Sequence, residues 1–558
     1  MNLPADAKAS PASPIGSFGD PVGLVVTVAW LFALGLGPVY TLRNRINPPL
    51  SGQYIDDALV NAAFVGLHVG VIAVIFVLAR RRPAISGLTA VLLVALHLLV
   101  IASAWWSLAP GRSATQGVLF ALTTVAALVV GDRVGVRGVV LSLAVASQAG
   151  VVLSQLAVRR GWPNTIDLNG DWAGIYLNRN SLGPVSVLAL LATTATAALW
   201  WCDRRSGDRR ASNGAGARAY GSVVGVVVAT VIVGLLLVDA HTLIRSASLT
   251  PLVGAVVGLL TALVALALPW WAHRRRPAGA ATGRAASPAM LGVGLLVTWA
   301  GLALAAVVGR SALATGLDRS TTLSGRTELW GWLIDAISRR PFSGWGWLGV
   351  WEDRALEVEV VGRFDVDFST AHNAVIEMLL GVGIVGGVLL VAAVGVTTWP
   401  VVVVAARPGV QRAVGVVALG FVGYVVAVNQ LETYVGANLL PWALLIALGA
   451  ACARQLRAGT AEPVHTPGPV GRAGMAMPAA EVDVNVHPTK AEVRFREPGR
   501  IFALVQRHVR AALVGQAGPP LVAGWVAPPG SAPDAICTSA CGSTGWAPWS
   551  TGWPITAA

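Results

Sequence analysis

The sequence has little charge, few lysines and few cysteines for its length. Only 12% of its 558 residues are charged, 55% are hydrophobic, and the mean hydropathy is +0.67. Such an apolar chain is not a soluble globular protein, so we predict an integral membrane protein. Cys202 and Cys452 stand at the ends of apolar runs, and Cys537 and Cys541 lie in a low-complexity tail. These spacings give neither a disulfide framework nor a zinc ligand set, so we predict no metal and no cofactor.

Apolar runs of about 20 residues, the length that crosses a hydrocarbon core of about 30 Å, occur twelve times. They predict an all-α polytopic membrane helix bundle of about 12 transmembrane helices. The predicted spans lie near 21–40, 58–80, 84–105, 115–131, 135–157, 181–202, 219–240, 248–272, 289–309, 374–399, 410–430 and 436–456.

Arginine clusters fall in alternate loops between these spans. Since short arginine-rich loops stay in the cytoplasm, both termini are predicted to be cytoplasmic, and 158–180, 241–247 and 310–373 to be outside. The net charge of +13 is then mostly a topology signal, and we expect no nucleic-acid partner. The clusters are Arg80 to Arg82, Arg133 and Arg137, Arg204 to Arg210, Arg274 to Arg276, and Arg407 and Arg412.

The predicted outer loops carry polar residues in a definite order. GDWAGIYLNRNSLGP places Asn178 and Asn180 just before the sixth span, and Arg245 lies between the seventh and eighth. SGRTELWGWLIDAISRRPFSGWGW, residues 324–347, holds Arg326 and Arg340. Its residues Trp330, Leu333, Ile334 and Ile337 recur at helical spacing, which predicts a short amphipathic helix that ends at Arg340 and Pro341. His372 and Asn373 end the large extracytoplasmic loop, in STAHNAVIEMLLGVGIVGG.

This order of motifs resembles the O-antigen ligase and O-antigen polymerase superfamily over residues 20 to 456. The resemblance implies a glycosyltransferase that moves a glycan from a polyprenyl diphosphate carrier to an acceptor hydroxyl at the outer face of the cytoplasmic membrane. The expected partners are the polyprenyl-diphosphate-linked glycan, a glycan or lipid acceptor, and the lipid bilayer. One motif departs from the family pattern, because Ile244 stands where a serine usually precedes the arginine that matches Arg245.

The residue types suit that chemistry. A departing diphosphate accumulates negative charge, which the guanidinium groups of Arg245 and Arg326 can stabilise through paired hydrogen bonds. The acceptor hydroxyl must lose a proton, and the imidazole of His372 suits a general base. We therefore predict these three as catalytic residues. Four more are predicted to bind substrate: Asn178, Asn180, Arg340 and Asn373.

Each assignment has a structural alternative. His372 could cap the tenth span, Arg245 could reach for lipid headgroups, and Asn178 and Asn180 could cap the sixth span. Trp330, Trp345 and Trp347 fit an interfacial belt, with stacking on sugar rings as the alternative. Asp365 and Asp367 resemble a metal–diphosphate motif, which chance explains better in so short a pattern.

The sequence changes character after the last span. We predict a cytoplasmic N-terminal segment over 1–20, a membrane domain over 21–456, a linker over 457–480 and a disordered tail over 516–558. Residues 481–515 contain VNVHPTKAEVRF and closely resemble the segment that ends the ATPase half of MutL mismatch-repair proteins. The lysine matching Lys490 contacts ATP in that family, but thirty-five residues cannot enclose a nucleotide, so we predict a non-functional remnant.

Two other classes stay open beside the glycan ligase or polymerase. A transporter or lipid-carrier flippase also fits twelve spans, but it predicts charged residues within spans and matching halves. A mismatch-repair function is disfavoured, because no nucleotide-binding fold precedes the MutL-like segment.

Overall fold

The computed structural model describes residues 21–35, 58–79, 83, 85–167, 169–208, 215–274, 287–308, 326–352, 370–436, 438–460, 482–487 and 490–495. The predicted N-terminal segment, residues 461–480 of the predicted linker, Asp365, Asp367 and the predicted disordered tail lie outside these residues, whereas linker residues 457–460 are helical. The helices are α1 Pro21–Leu34, α2 Ala58–Ala79, α3 Gly87–Ala102, α4 Pro110–Arg159, α5 Arg179–Asp208, α6 Ala215–Ser246, α7 Thr250–Arg274, α8 Pro288–Val308, α9 Arg326–Arg339, α10 Ala374–Ala406, α11 Val410–Val428 and α12 Leu440–Thr460.

The prediction of an all-α membrane bundle is confirmed. Each of the twelve predicted spans overlaps one of these helices, and eight helices among the described residues are long and apolar enough to cross a membrane. The helices α1 and α8 contribute shorter apolar segments. The count of twelve spans stays a prediction.

The predicted spans 115–131 and 135–157 both lie in α4, on either side of Gly135. This glycine has φ +68°, a backbone conformation that interrupts a right-handed helix and that side chains with a Cβ rarely adopt. The two segments pack against different neighbours: Gly131 approaches the backbone of Ala447 in α12, and Gly138 approaches Leu24 in α1. A single glycine therefore divides α4 into the two predicted spans.

The helix α10 is interrupted inside its apolar run, and the loop that follows α9 fills the break. The amide of Trp345 donates to the Leu380 carbonyl at 2.8 Å, and the amide of Gly346 donates to the Gly381 carbonyl at 2.8 Å. Irregular backbone is tolerated at membrane depth only where protein groups satisfy its polar atoms. The loop therefore serves as part of the transmembrane architecture.

The second half of α10 begins beyond Gly383, whose φ is +71°. There the amide of Ile384 donates to the Pro341 carbonyl at 2.8 Å. A Cβ on Gly383 would collide with the Phe342 carbonyl group, so the close approach requires glycine.

The predicted amphipathic helix is α9, and its end at Arg339 agrees with the prediction. Its buried face differs, however: Leu329 and Leu333 are fully buried, whereas Ile334 is 57% exposed. The interfacial belt is also wrong for Trp347, which is 1% exposed and stacks on Phe120 at 5.9 Å between ring centroids.

Several helix ends meet at one end of the bundle. Gly254, early in α7, packs against Val428, the last residue of α11, so these antiparallel helices share that end. The carbonyl of Asn429 accepts from the amide of Ala374 at 2.9 Å, which places the start of α10 beside them. We call this the site end, because residues 371–373 and 429–436 lie there.

The compact unit that contains the helices spans Met1–Glu462, and a separate unit spans Pro463–Ala558. In the second unit, the strands β1 Val482–His487 and β2 Lys490–Phe495 form an antiparallel pair with His487 opposite Lys490.

Candidate functional site

His372 stands just before α10, and its ring contacts a carboxylate on the loop between α11 and α12. The Nδ1 atom of His372 lies 2.6 Å from Oε2 of Glu432. An ionised carboxylate only accepts hydrogen bonds, so Nδ1 is the donor, and in the neutral ring Nε2 is the nitrogen without a hydrogen. His372 has φ +49°, an uncommon conformation for a residue with a Cβ, and such strain is characteristic of functional positions.

The same carboxylate holds Arg326, the first residue of α9. The Nη2 atom of Arg326 donates to Oε1 of Glu432 at 2.5 Å, and its Nη1 atom donates to the Leu431 carbonyl at 2.5 Å. The side chains of His372, Arg326 and Glu432 are 24%, 16% and 12% exposed. Two predicted catalytic residues thus meet on one carboxylate, near the surface but partly shielded from solvent.

The charges of these partners decide the ionisation of Glu432. Burial opposes the charged form, but the hydrogen bond and charge of His372 and the charge of Arg326 outweigh it, so the pKa of Glu432 lies below its ordinary value. The carboxylate therefore stays ionised at neutral pH and can hold both partners.

A second carboxylate fixes the backbone around His372. Glu377 is 1% exposed, and it accepts hydrogen bonds from the Ala371 amide at 2.6 Å and from Trp351 Nε1 at 2.6 Å. The Ala371 carbonyl accepts from Trp330 Nε1 at 2.8 Å. The amide and the carbonyl of Ala371 are thus both hydrogen-bonded to side chains, which restricts the position of His372.

Asn373, and not His372, caps α10. Its Oδ1 atom accepts from the amides of Val375 at 3.0 Å and Ile376 at 3.1 Å, and its Nδ2 atom donates to the Gln430 carbonyl at 3.2 Å. The side chain thereby joins the helix start to the loop that carries Glu432. The substrate-binding role of Asn373 stays a prediction.

The alternative of a capping role is confirmed for Asn178, whose Oδ1 atom accepts from the Ser181 amide at 3.0 Å and hydroxyl at 3.1 Å. Asn180 accepts a longer hydrogen bond of 3.4 Å from Ser248, in the short connection between α6 and α7. Both asparagines are exposed at the site end, and their contact with substrate stays a prediction.

Arg245 lies in the last turn of α6, at the site end. It is thus on a different element from His372, which precedes α10. Its guanidinium group lies over the ring of Trp172 at 5.3 Å, and its carbonyl accepts from the Trp172 amide at 2.8 Å. Arg340 similarly lies over the ring of Trp345 at 4.2 Å. Both arginines are exposed and are positioned by tryptophan rings, which pre-orients their charge at little cost in hydration.

Sequence reasoning missed Glu432 and Glu377. A signal for the first was present, because Glu432 is the only acidic residue between Glu377 and Glu462. A lone carboxylate between two apolar spans is an expected functional position. Among the described residues, no group of three or more histidines, cysteines or acidic residues could hold a metal ion.

Comparison with known proteins gives two separate regions of similarity. The C-terminal domain of the DNA mismatch repair protein family matches residues 468–514. The mismatch repair protein MutL of Geotalea daltonii is 62% identical over 39 residues, which are 7% of this chain and 6% of that protein. MutL of Bartonella tribocorum is 56% identical over 45 residues, 8% of this chain and 7% of that protein. The chain thus spans a small fraction of the length of these relatives.

The other region of similarity contains most of the candidate site. The O-antigen ligase family matches residues 234–391, which include Arg245, Arg326, Arg340, His372 and Asn373. The resemblance predicted from the motifs is confirmed over this range, and it supports a multi-pass membrane enzyme of the O-antigen ligase or polymerase type.

Proposed function

We propose that this protein is a membrane glycosyltransferase that moves a glycan from a polyprenyl diphosphate carrier to an acceptor hydroxyl. The single observation that carries this proposal is the Glu432 carboxylate, which holds His372 and Arg326 together at the site end. The arrangement supplies a base and a cation side by side, as displacement of a diphosphate requires.

His372 acts as the general base. Glu432 accepts the hydrogen bond from Nδ1, so it fixes the ring orientation and stabilises the imidazolium that forms when Nε2 takes a proton. The acceptor oxygen attacks the anomeric carbon, the bond from that carbon to the diphosphate oxygen breaks, and the hydroxyl proton moves to Nε2. The bonding electrons leave with the diphosphate.

Arg326 and Arg245 stabilise the departing diphosphate. Arg326 has five N–H donors, and the two hydrogen bonds to Glu432 and Leu431 leave others to meet a phosphate oxygen. The guanidinium group of Arg245 is exposed and lies over the ring of Trp172. It can bind a phosphate through two parallel hydrogen bonds, the geometry that guanidinium groups favour. Arg340, at the other end of α9 from Arg326, binds another part of the substrate, and so do Asn178, Asn180 and Asn373.

The site end faces the outside of the cytoplasmic membrane in this proposal, and both termini are cytoplasmic. The arginine-rich loops support this orientation. The donor is an activated lipid-linked glycan, which needs no nucleotide at that face. A ligase and a polymerase of this type differ only in the acceptor, which is another molecule for the ligase and the same repeating glycan for the polymerase.

The test is transfer in proteoliposomes from a labelled polyprenyl-diphosphate glycan to an acceptor supplied in the same vesicles. His372→Ala and Arg326→Ala are expected to lower the transfer rate by roughly 10²-fold or more, because each removes a group that acts in the transition state. Arg339→Ala is the matched control for arginine removal. Arg339 is an exposed residue at the other end of the same helix and should keep nearly all activity.

A truncated chain that ends after Arg457 tests the tail in the same assay. Its transfer rate should equal that of the full chain, because every proposed catalytic residue lies before that point. Equal product from the wild type and His372→Ala would contradict the assignment of His372 as the general base. A folded wild type that forms no product and instead moves the intact carrier lipid across the bilayer would favour the flippase class.

We propose no DNA-repair activity for the MutL-like segment. Its described part is one pair of six-residue strands, and an isolated two-stranded hairpin has at best marginal stability in water. A lysine on one such strand does not form a nucleotide site. ATP binding by the full chain, abolished by Lys490→Ala, would contradict this.

A further inference from the structure

A buried polar cluster that does not include His372 joins α4, α5 and α6 within the membrane domain. Asp239 of α6 is 0% exposed, and its Oδ2 atom accepts from Gln148 Nε2 of α4 at 2.6 Å. The same nitrogen donates to the Thr193 hydroxyl of α5 at 3.1 Å. Gln148 thus uses both of its N–H groups to connect three helices.

Two oxygen atoms of this cluster have no hydrogen-bond donor among the described residues. They are Oδ1 of Asp239 and Oε1 of Gln148. Both atoms are acceptors, so a carboxylate here would leave two acceptors in an apolar bundle without a hydrogen to share. A buried acceptor without a donor costs about 1–3 kcal/mol, and more if it is charged. The cluster therefore needs one more hydrogen atom that these oxygens can share in a hydrogen bond.

Reversing the amide assignment of Gln148 leads to the same requirement. Its oxygen would then lie 2.6 Å from Oδ2 of Asp239, and two acceptors at that distance need a proton between them. In either orientation, a proton on the Asp239 carboxyl is the smallest change that supplies the donor.

The described surroundings of Asp239 offer no compensating charge. Its neighbour His241 accepts from Gln155 at Nδ1 and packs edge-on against Trp172. The other described titratable or charged side chains on α4, α5 and α6 are near helix ends or the Gly135 break, and they are Arg112, Asp132, Arg133, Arg137, Arg159, Arg179, Cys202 and Arg245.

We propose that Asp239 is a proton-binding site within the membrane, whose carboxyl group holds a proton at neutral pH and donates it to the Gln148 oxygen. The neutral pair fastens α6 to α4 and α5. Arg245 follows six residues later, about 9 Å further along α6, so the pair also anchors the helix that presents this arginine. The proposal depends on the cluster alone, and it stands whether or not glycan transfer is the reaction.

The first experiment is infrared difference spectroscopy of the purified full chain, wild type against Asp239→Asn. Asparagine has the shape of the protonated acid, and its neutral amide group can donate and accept the same hydrogen bonds. The expected spectrum shows the carbonyl band of a protonated carboxylic acid in the wild type only, and the band shifts in D₂O. Glu377 is present in both proteins, so its signal cancels.

The matched control is Asp171→Asn, because Asp171 lies in a loop and forms a salt bridge with Arg179. Its difference spectrum should show carboxylate bands. Carboxylate bands in the Asp239→Asn spectrum as well, without an acid band, would overturn the proposal.

Thermal unfolding separates a proton from a metal cation at this site. Asp239→Asn should unfold within about 2 °C of the wild type, whereas Asp239→Ala should unfold several degrees lower, because it leaves Gln148 without its partner. Replacement of sodium by choline should leave the wild-type Tm unchanged. Either a sodium-dependent Tm that Asp239→Asn abolishes or failure of Asp239→Asn to fold would overturn the proposal.

Discussion

Glu432→Gln is the substitution that tests the candidate site most directly. It keeps the size of the side chain but removes the charge that faces His372 at 2.6 Å and Arg326 at 2.5 Å. A carboxylate accepts from Nδ1–H and stabilises the imidazolium, whereas an amide can donate to Nδ1 and stabilise the wrong tautomer. We expect the transfer rate to fall by roughly 10²- to 10⁴-fold, the usual contribution of general acid–base catalysis.

That loss corresponds to about 3–5 kcal/mol in the activation barrier. The assay is the initial rate of glycan transfer in proteoliposomes, with folding checked by thermal unfolding. The matched control is Glu328→Gln. Glu328 is an exposed residue in the first turn of α9, so its charge should matter little. A Glu432→Gln protein with at least a third of the wild-type rate would refute the reasoning.

Three further outcomes follow from the geometry. Gly383→Ala should lower the free energy of unfolding by about 2–3 kcal/mol, because its backbone conformation suits glycine and the new Cβ would meet Phe342. Gly395→Ala, in the same helix with open space around it, should be neutral or stabilising in denaturant titrations. Asn373→Ala should cost about 1 kcal/mol in the same titrations, since it removes a helix cap, and an unchanged midpoint would contradict that role. The lowered pKa of Glu432 means that its ionised form stabilises the fold above the unfolded-state pKa of about 4.3, and this contribution is lost as pH falls through the folded-state value. The Tm advantage of the wild type over Glu432→Gln should therefore shrink as pH falls below about 4.3, and an advantage that stays the same or grows over that range would contradict the pKa direction.

The helical spans and two members of the site could be predicted from the sequence because those signals are local. Runs of apolar residues report transmembrane helices, and His372 stands out as a polar residue beside such a run. Arg326 is recognised from the motif SGRTELWGW in the long polar stretch between two runs. The carboxylate that joins them does not stand out, because Glu432 lies 60 residues from His372 along the chain. Contacts over such a separation depend on how the helices pack.

The break in α10 escapes prediction for a different reason. Hydropathy measures the side chains, and the run around Gly383 is apolar throughout, so the pattern predicts one continuous span. Glycine is frequent in ordinary transmembrane helices, so its presence does not by itself indicate an interruption. The deciding contacts are backbone hydrogen bonds from a loop some forty residues earlier, and neither segment reveals them alone.

The filled break in α10 limits how this protein can be recombined with related enzymes. If only the loop after α9 is exchanged, with boundaries at the predicted ends of the spans, the segment that carries the amides of Trp345 and Gly346 comes from a different parent than the α10 carbonyls that accept from them. A chimera should therefore inherit residues 340–347 and 380–384 from the same parent. The loop after α9 and the first third of α10 therefore form one structural module that should be transferred as a whole.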